Sequence, residues 1–564
     1  MRVFKSDDTL TVQAVAGTYV VILGINLPEK ACKKLMGFSV YRYDHEKKAG
    51  KFLEGQKRFE TVDADLPPGS RYSTERHPVQ DFQWSDYSAS PGKTYSYTVA
   101  ALRGKPGQLE KFAEVTVKVT TECPSKEDET FTHEVYFNRG VAASQEYARR
   151  FNNRPPDKVE DNKAFEWLSR GIYEALEKYI NDCQKGKHSL RIAAYEFHYE
   201  PFLKLLKATI KRGVPIKIVY DARKKVPGDK NRQAVHDAGL EDFCTERTEG
   251  ASYISHNKFI VKLENKKPVS VWTGGMNFSE GGIFGHSNVA HVVNDETVAK
   301  RYLQYWKVLA DDPTVPDTKE KVESLTPLPP AALPKGITCV FSPRANLDVL
   351  NYYRDLAMDG KAGFCMTFAF GINKLFKDVY KTSQCTLRFA LLEKKTRSYS
   401  KDKEAEKKKD EREVQLLRNM PQNIFSIGSI ITQEKKTDNE LDNWLLERLS
   451  GLNANVNYIH NKFMLVDPLS KDPIVIAGSA NFSDASTKNN DENMLLIRGD
   501  KRVADIYLGE FMRLWKHHSY RESLSFKRAP NQPKNNFLRT DNWWEKFFEE
   551  TDSATRRMYF SKVH

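Results

Sequence analysis

One short stretch occurs twice in this chain, and any fold must account for both copies. His256-Asn257-Lys258-Phe259 is followed by Gly274-Gly275-Met276-Asn277-Phe278-Ser279, and His460-Asn461-Lys462-Phe463 by Gly478-Ser479-Ala480-Asn481-Phe482-Ser483. An H-x-K tripeptide alone carries little: His45-Glu46-Lys47 is a third, and no G-x-x-N stands behind it. Two copies of the whole pattern imply an internal duplication. The motif histidines lie 204 residues apart, as do Phe137 and Phe341 at the start of matching strands. The equality hides compensating insertions, because Tyr195 to His256 is 61 residues and Phe368 to His460 is 92.

The elements around the motifs fit that duplication. Leu190-Arg191-Ile192-Ala193-Ala194-Tyr195 reads as a strand, residues 201–212 as a helix ended by Gly213, and Val214 to Asp221 as the next strand. In the second half 339–341, 364–368 and 387–392 read as strands and 347–358 as a helix. Strand-helix-strand order predicts an α/β class with a mainly parallel or mixed sheet. Residues 1–123 differ: alternating runs such as Phe38-Ser39-Val40-Tyr41-Arg42-Tyr43 predict an all-β sandwich. Its Pro91-Gly92 turn feeding Tyr95-Ser96-Tyr97-Thr98-Val99 resembles a fibronectin type III or immunoglobulin-like module. The expected division is 1–123 sandwich, 131–330 first α/β repeat, 331–530 second repeat and 531–564 helical tail. The run Glu393 to Glu413 reads as a solvated loop or exposed helix. Trp543, Trp544, Phe547 and Phe548 are spaced to line one helical face that packs on the body, with a membrane-surface anchor as the rival reading.

Composition narrows the class. A chain of 564 residues with 40% hydrophobic and 29% charged residues is globular. No apolar run approaches the roughly 18 residues of a membrane-spanning helix, and Met1 to Gln13 has no apolar signal core. The cytoplasm is the expected compartment. Seven scattered cysteines without a C-x-x-C pair argue against a disulfide framework and a zinc site. A formal charge of +13 favours a polyanionic partner, either nucleic acid or an anionic membrane surface.

Each motif supplies an imidazole, an ammonium and a carboxamide. If the halves pack with pseudo-two-fold symmetry, His256, Lys258 and Asn277 meet His460, Lys462 and Asn481 around one anion. That set suits phosphoryl transfer with no metal and no cofactor: one His attacks phosphorus, the other protonates the leaving oxygen, and Lys and Asn hold the equatorial oxygens. Ser279 and Ser483 are candidate phosphate contacts or helix caps. Glu196 and His198 follow a strand end and read as rim or structural residues.

H-x-K, four residues, Asp, then G-x-x-N resembles the HKD motif of the phospholipase D superfamily across about residues 131 to 525. The second copy matches at His460, Lys462, Asp467, Gly478, Ser479 and Asn481, with Glu492 downstream. The first departs, with Leu263 at the Asp position and Asn288 where Glu492 falls. The resemblance implies a phosphohistidine mechanism with His256 as nucleophile and His460 as acid/base. It also implies a structural role for Asp467 and a Glu492 that orients the opposite His. The expected function is a phosphodiester hydrolase, with a phospholipid head group as the leading substrate. A nuclease acting on DNA or RNA is the second reading and a phosphate-binding pseudoenzyme the third. A basic groove past the histidines would favour a strand, and an apolar-rimmed pit a lipid.

Overall fold

The computed structural model describes residues 1–66, 70–126, 129–140, 145–223, 225–397, 399–428, 458–524 and 537–563. Two four-stranded antiparallel sheets come first. One runs in the order Arg2–Ser6, Thr11–Ala16, Val21–Asn26, Gln83–Asp86, and the other Gln108–Thr120, Thr94–Lys105, Gly37–Asp44, Ala49–Phe52. The alternating residues Val12, Leu23, Phe38, Tyr97 and Val117 face each other and form their shared core.

The duplication appears as two seven-stranded mixed sheets with the same strand order. The first is His133–Phe137, Val289–Val293, Lys267–Gly274, Lys258–Glu264, His188–Ala194, Ile216–Asp221, Cys244–Arg247. The second is Gly336–Ser342, Glu492–Arg498, Ile474–Gly478, Phe463–Val466, Gly363–Phe368, Leu387–Leu392, Asn423–Ile427. In each, the last three strands are parallel and the others antiparallel. The fold class is thus α/β, duplicated, preceded by antiparallel sheets. The helices Glu296–Ala310 and Lys501–Leu524 lie in the apolar layer between the two sheets, where Tyr302, Tyr305, Phe341, Phe463, Tyr507 and Phe511 are fully buried. Further helices cover the outer faces, through separate cores around Leu176, Phe202 and Leu206 in one half and Leu350, Phe376 and Val379 in the other.

The charged run contains the helix Glu404–Arg418, held through Val414 and Leu417 and by Lys377 pairing with Asp410 and Glu413. The tail aromatics are not one helical face. They flank a single 3-10 turn, Glu545–Phe547, ahead of the helix Asp552–Ser561. Trp543, Trp544 and Phe547 complete the core of the N-terminal sandwich, and the Trp543 Nε1–H donates to the Leu35 carbonyl at 2.8 Å. The packing reading therefore holds for these side chains. Among the described residues all seven cysteines are free thiols.

Candidate functional site

Both motifs stand at the start of the middle strand of their sheets, and the halves meet through them. The residue before each His pairs in parallel with the opposite half: Ser255 with Asp491, and Ile459 with Ser287. Asp491 N donates to Ile254 O at 3.0 Å and Ser287 N to Tyr458 O at 2.8 Å. This crosswise pairing places each His beside a side chain from the other repeat. His256 Nδ1 lies 2.9 Å from Glu492 Oε2 and 3.0 Å from Oε1. His460 Nδ1 lies 2.9 Å from Asn288 Oδ1. Both acceptors are oxygens, so each Nδ1 carries the proton and each Nε2 is left for chemistry.

The electrostatics of the two histidines differ for that reason. Burial pushes His256 below its ordinary pKa, and the Glu492 carboxylate opposes the shift. Burial, with Lys462 and His286 adding to it, pushes His460 well below, and its amide partner offers no charge in return. Burial alone would raise the Glu492 carboxyl, but His256 and Lys258 hold it below the usual range. Burial lowers the Lys258 ammonium to about 7 and drives Lys462 well below its usual value, with Lys258 as the next cause. Each ammonium donates to the carbonyl of its own motif His, at 2.5 Å for Lys462. Asn277 and Asn481 have buried Oδ1 atoms with no partner among the described residues. Burial disfavours the charged form of both ammonium groups, and an anion between them would favour it.

The structure brings the two His, the two Lys and Glu492 together, while Asn277 and Asn481 follow the strands Lys267–Gly274 and Ile474–Gly478 and the two serine hydroxyls are engaged locally. Ser279 Oγ donates to Glu196 Oε2 at 2.6 Å and accepts from Gly282 N. Ser483 Oγ accepts from Ser486 N and donates to Ser486 Oγ at 3.1 Å. Both hydroxyls thus accept from a backbone N–H three residues on, as a helix-capping serine does. Asp467 is a turn clamp: its carboxylate accepts from the backbone N of Lys361, Ala362 and Gly363, at 2.6 Å for Ala362. The first half needs no such clamp. Its motif strand turns tightly through Asn265 and Lys266, both at positive φ (49° and 69°), so Leu263 pairs with Pro268 instead.

Sequence reasoning passed over three residues. The His286 ring lies tilted against that of His460 with centroids 4.4 Å apart, and its Nδ1 accepts from Asn288 Nδ2 at 2.9 Å. Asn138 holds that loop, donating to the carbonyls of Ile283 and His286 and accepting from Asn288 N. Tyr195 packs edge-on against His256 at 4.9 Å. Glu196, read as rim or structural, is a half-buried carboxylate held down by Ser279 and His286 against the effect of burial. His198 stays at the strand end, its N–H donating to Phe278 O.

The family described as "Cardiolipin synthase, PLD-like domain" matches residues 176–309 and 401–515, one segment around each motif. No curated protein matches the sequence. Among solved structures, the chain is similar to phosphatidylserine synthase from Haemophilus influenzae, with 11% identity, a TM-score of 0.45 and coverage of 70% of this chain and 94% of that one. It is also similar to Nuc, a phospholipase D family member from Salmonella typhimurium, with 28% identity, a TM-score of 0.21 and coverage of 25% and 87%. A third is polyphosphate kinase from Porphyromonas gingivalis, with 9% identity and a TM-score of 0.40; the match covers 65% of this chain and only 51% of the kinase. The matched segments fall on the two repeats and enclose both motifs, so the two repeats are similar to that PLD-like domain.

Proposed function

We propose that this protein hydrolyses a phosphodiester without a metal, through a phosphohistidine on His256. The observation that carries the reading is the crosswise pairing of His256 with Glu492 and of His460 with Asn288. Glu492 holds the Nδ1 proton of His256, which leaves Nε2 as the nucleophile. Nε2 attacks phosphorus, the P–O bond to the leaving group breaks, and the Nε2–H of protonated His460 gives its proton to the departing oxygen. Lys258, Lys462 and the Asn277 and Asn481 amides receive the negative charge on the equatorial oxygens. Water then attacks phosphorus, neutral His460 takes its proton, and the P–N bond breaks to return His256.

The substrate class favoured is a nucleic-acid strand, because a cleft rich in Lys, Arg and aromatic residues adjoins the loop that holds Asn288. A phospholipid head group is the second reading. It is supported by Phe370 and Val226, both exposed apolar residues beyond the carboxyl ends of parallel strands, and by the family's description. Incubation with a 32P-labelled diester and acid-free trapping tests the chemistry. Label should be held by His256 in the wild type and be absent in His256→Ala. Single alanine variants of His256 and His460 should each lose several orders of magnitude in turnover, and the double variant little more. Either single variant retaining near-full activity overturns the shared site, and loss of activity in EDTA that a divalent ion restores overturns metal independence.

A further inference from the structure

A cleft of about 890 Å³ opens between the N-terminal sandwich, the first repeat, the helix Lys501–Leu524 and the tail. Its walls carry nine Lys or Arg side chains and three carboxylates, and none of the motif residues. Several of the cations are paired: Arg513 with Glu510 at 2.8 Å, Lys516 with Asp81 at 3.5 Å, Arg539 with Asp541 at 2.7 Å. Arg139 is different. Its guanidinium stacks on Trp167 at 4.5 Å and its Nε donates to the Trp167 carbonyl, with no carboxylate against it among the described residues. Burial, and then Arg170 and Arg513, drive it down to about 9. An anion in the cleft would relieve that repulsion.

The second property of the walls is aromatic. Tyr87 is 38% exposed, Trp84 and Trp167 are half-buried, and the Trp167 Nε1–H has no partner. Cations that track phosphates, interleaved with faces on which bases stack, are the two components of sequence-tolerant single-strand recognition. The volume lies within the range of small-molecule and cofactor pockets. Hydrogen bonds join the wall of the cleft to the motif site. Arg513 Nη2 donates to the carbonyls of Asn138 and Arg139, and the Asn138 side chain carries the His286 to Asn288 loop beside His460.

We infer that this cleft binds the phosphates and bases of a nucleotide, either free or within a single strand whose next phosphodiester enters the motif pocket. The inference deepens the phosphodiesterase reading and rests on it only for the fate of that diester. Binding is measured without chemistry, on the full chain carrying His256→Ala. The probes are a labelled oligothymidylate of about twelve nucleotides, ATP as competitor, and phosphatidylglycerol vesicles in a separate flotation assay. The oligonucleotide should bind with an affinity that falls as salt rises, with a slope of about 0.7 for each phosphate contacted. Arg139→Gln and Lys546→Glu should each weaken it about tenfold, and Tyr87→Ala at least about fivefold. Lys546 is exposed at the cleft, so its variant keeps the test intact if Arg139→Gln fails to fold. Competition by ATP, lost in the same variants, assigns the site to nucleotides in general, and failure of ATP to compete assigns it to a strand. The inference is overturned if the parent binds neither probe, if the variants bind as the parent does, or if the variants lose only vesicle binding. Variant-sensitive binding with no trapped phosphohistidine would sink the chemistry and leave the cleft standing. A trapped phosphohistidine without cleft binding would do the reverse.

Discussion

At the scale of single residues, the difference between the two histidines is the group that faces Nδ1, a carboxylate on Glu492 against the uncharged amide oxygen of Asn288. A carboxylate stabilises the imidazolium beside it, and an amide does so far less. Both His256 and His460 lie below the ordinary histidine value, His460 by more, so the bell of kcat/KM against pH should have its maximum below about 6.5. Asn288→Asp would set a charge against His460 and raise its pKa, so the alkaline limb should move up by about one unit or more. The variant also gives up the Nδ2 donations to Gly282 O and His286 Nδ1, so some loss of stability should accompany the shift. An alkaline limb that stays in place, measured with a small chromogenic diester, would reject this account of the asymmetry. The His-Lys-Asn sets were legible because their spacing repeats, and Asn288 was legible as a departure from it. His286 and Asn138 were not, because a loop residue and a partner 148 positions away carry no periodic signal.

At the scale of elements, the sequence predicted some strands and helices of both repeats by period, but not the helices Glu296–Ala310 and Lys501–Leu524 between the sheets. The helix predicted over 201–212 is Glu200–Lys211 and that over 347–358 is Asp348–Met358. What period could not show is destination. The tail aromatics have helical spacing, yet they insert around a 3-10 turn into the sandwich, which lies more than 420 residues earlier in the chain. Trp543 is 2% exposed and touches the rings of Phe38, Phe82 and Phe547 with centroids within 6.5 Å. Trp543→Ala should therefore cost about 3–5 kcal/mol, read as an early urea transition of the sandwich. The motif chemistry should be retained below that transition. An unchanged urea profile would show that the tail is not part of the sandwich core. Gly24 marks the same contact, because a Cβ there would lie 1.9 Å from the Phe560 carbonyl oxygen of the tail helix.

At the scale of the whole molecule, the three parts are joined through buried layers that hold titratable groups as well as apolar ones. His133 and His291 bridge two neighbouring strands at 2.8 Å, His291 reaches Tyr507 at 3.1 Å, and the His286 ring lies tilted against that of His460. Burial is the first cause in every case, and it brings His133 and His286 down to about 4 while His291 lies well below its ordinary value. Between about pH 6.5 and pH 4 the unfolded chain binds protons at these positions and the folded chain does not, so stability falls as pH falls through that window. Above about 6.5 both states are neutral and the full stability is present. By pH 5 a histidine moved from about 6.5 to about 4 should cost about 2 kcal/mol. The carboxylates held low, such as Glu510 at about 2, lose their contribution only in more acid solution, so they do not account for a slope that begins near pH 6.5. The growing positive charge of a chain already at +13 acts in the same direction, and a variant separates the two. His286→Asn removes one titration without altering the remaining surface. Between pH 7.5 and pH 5 it should lose about 2 kcal/mol less than the parent by urea denaturation. Identical losses in parent and variant would assign the acid sensitivity to net charge and not to the buried imidazoles.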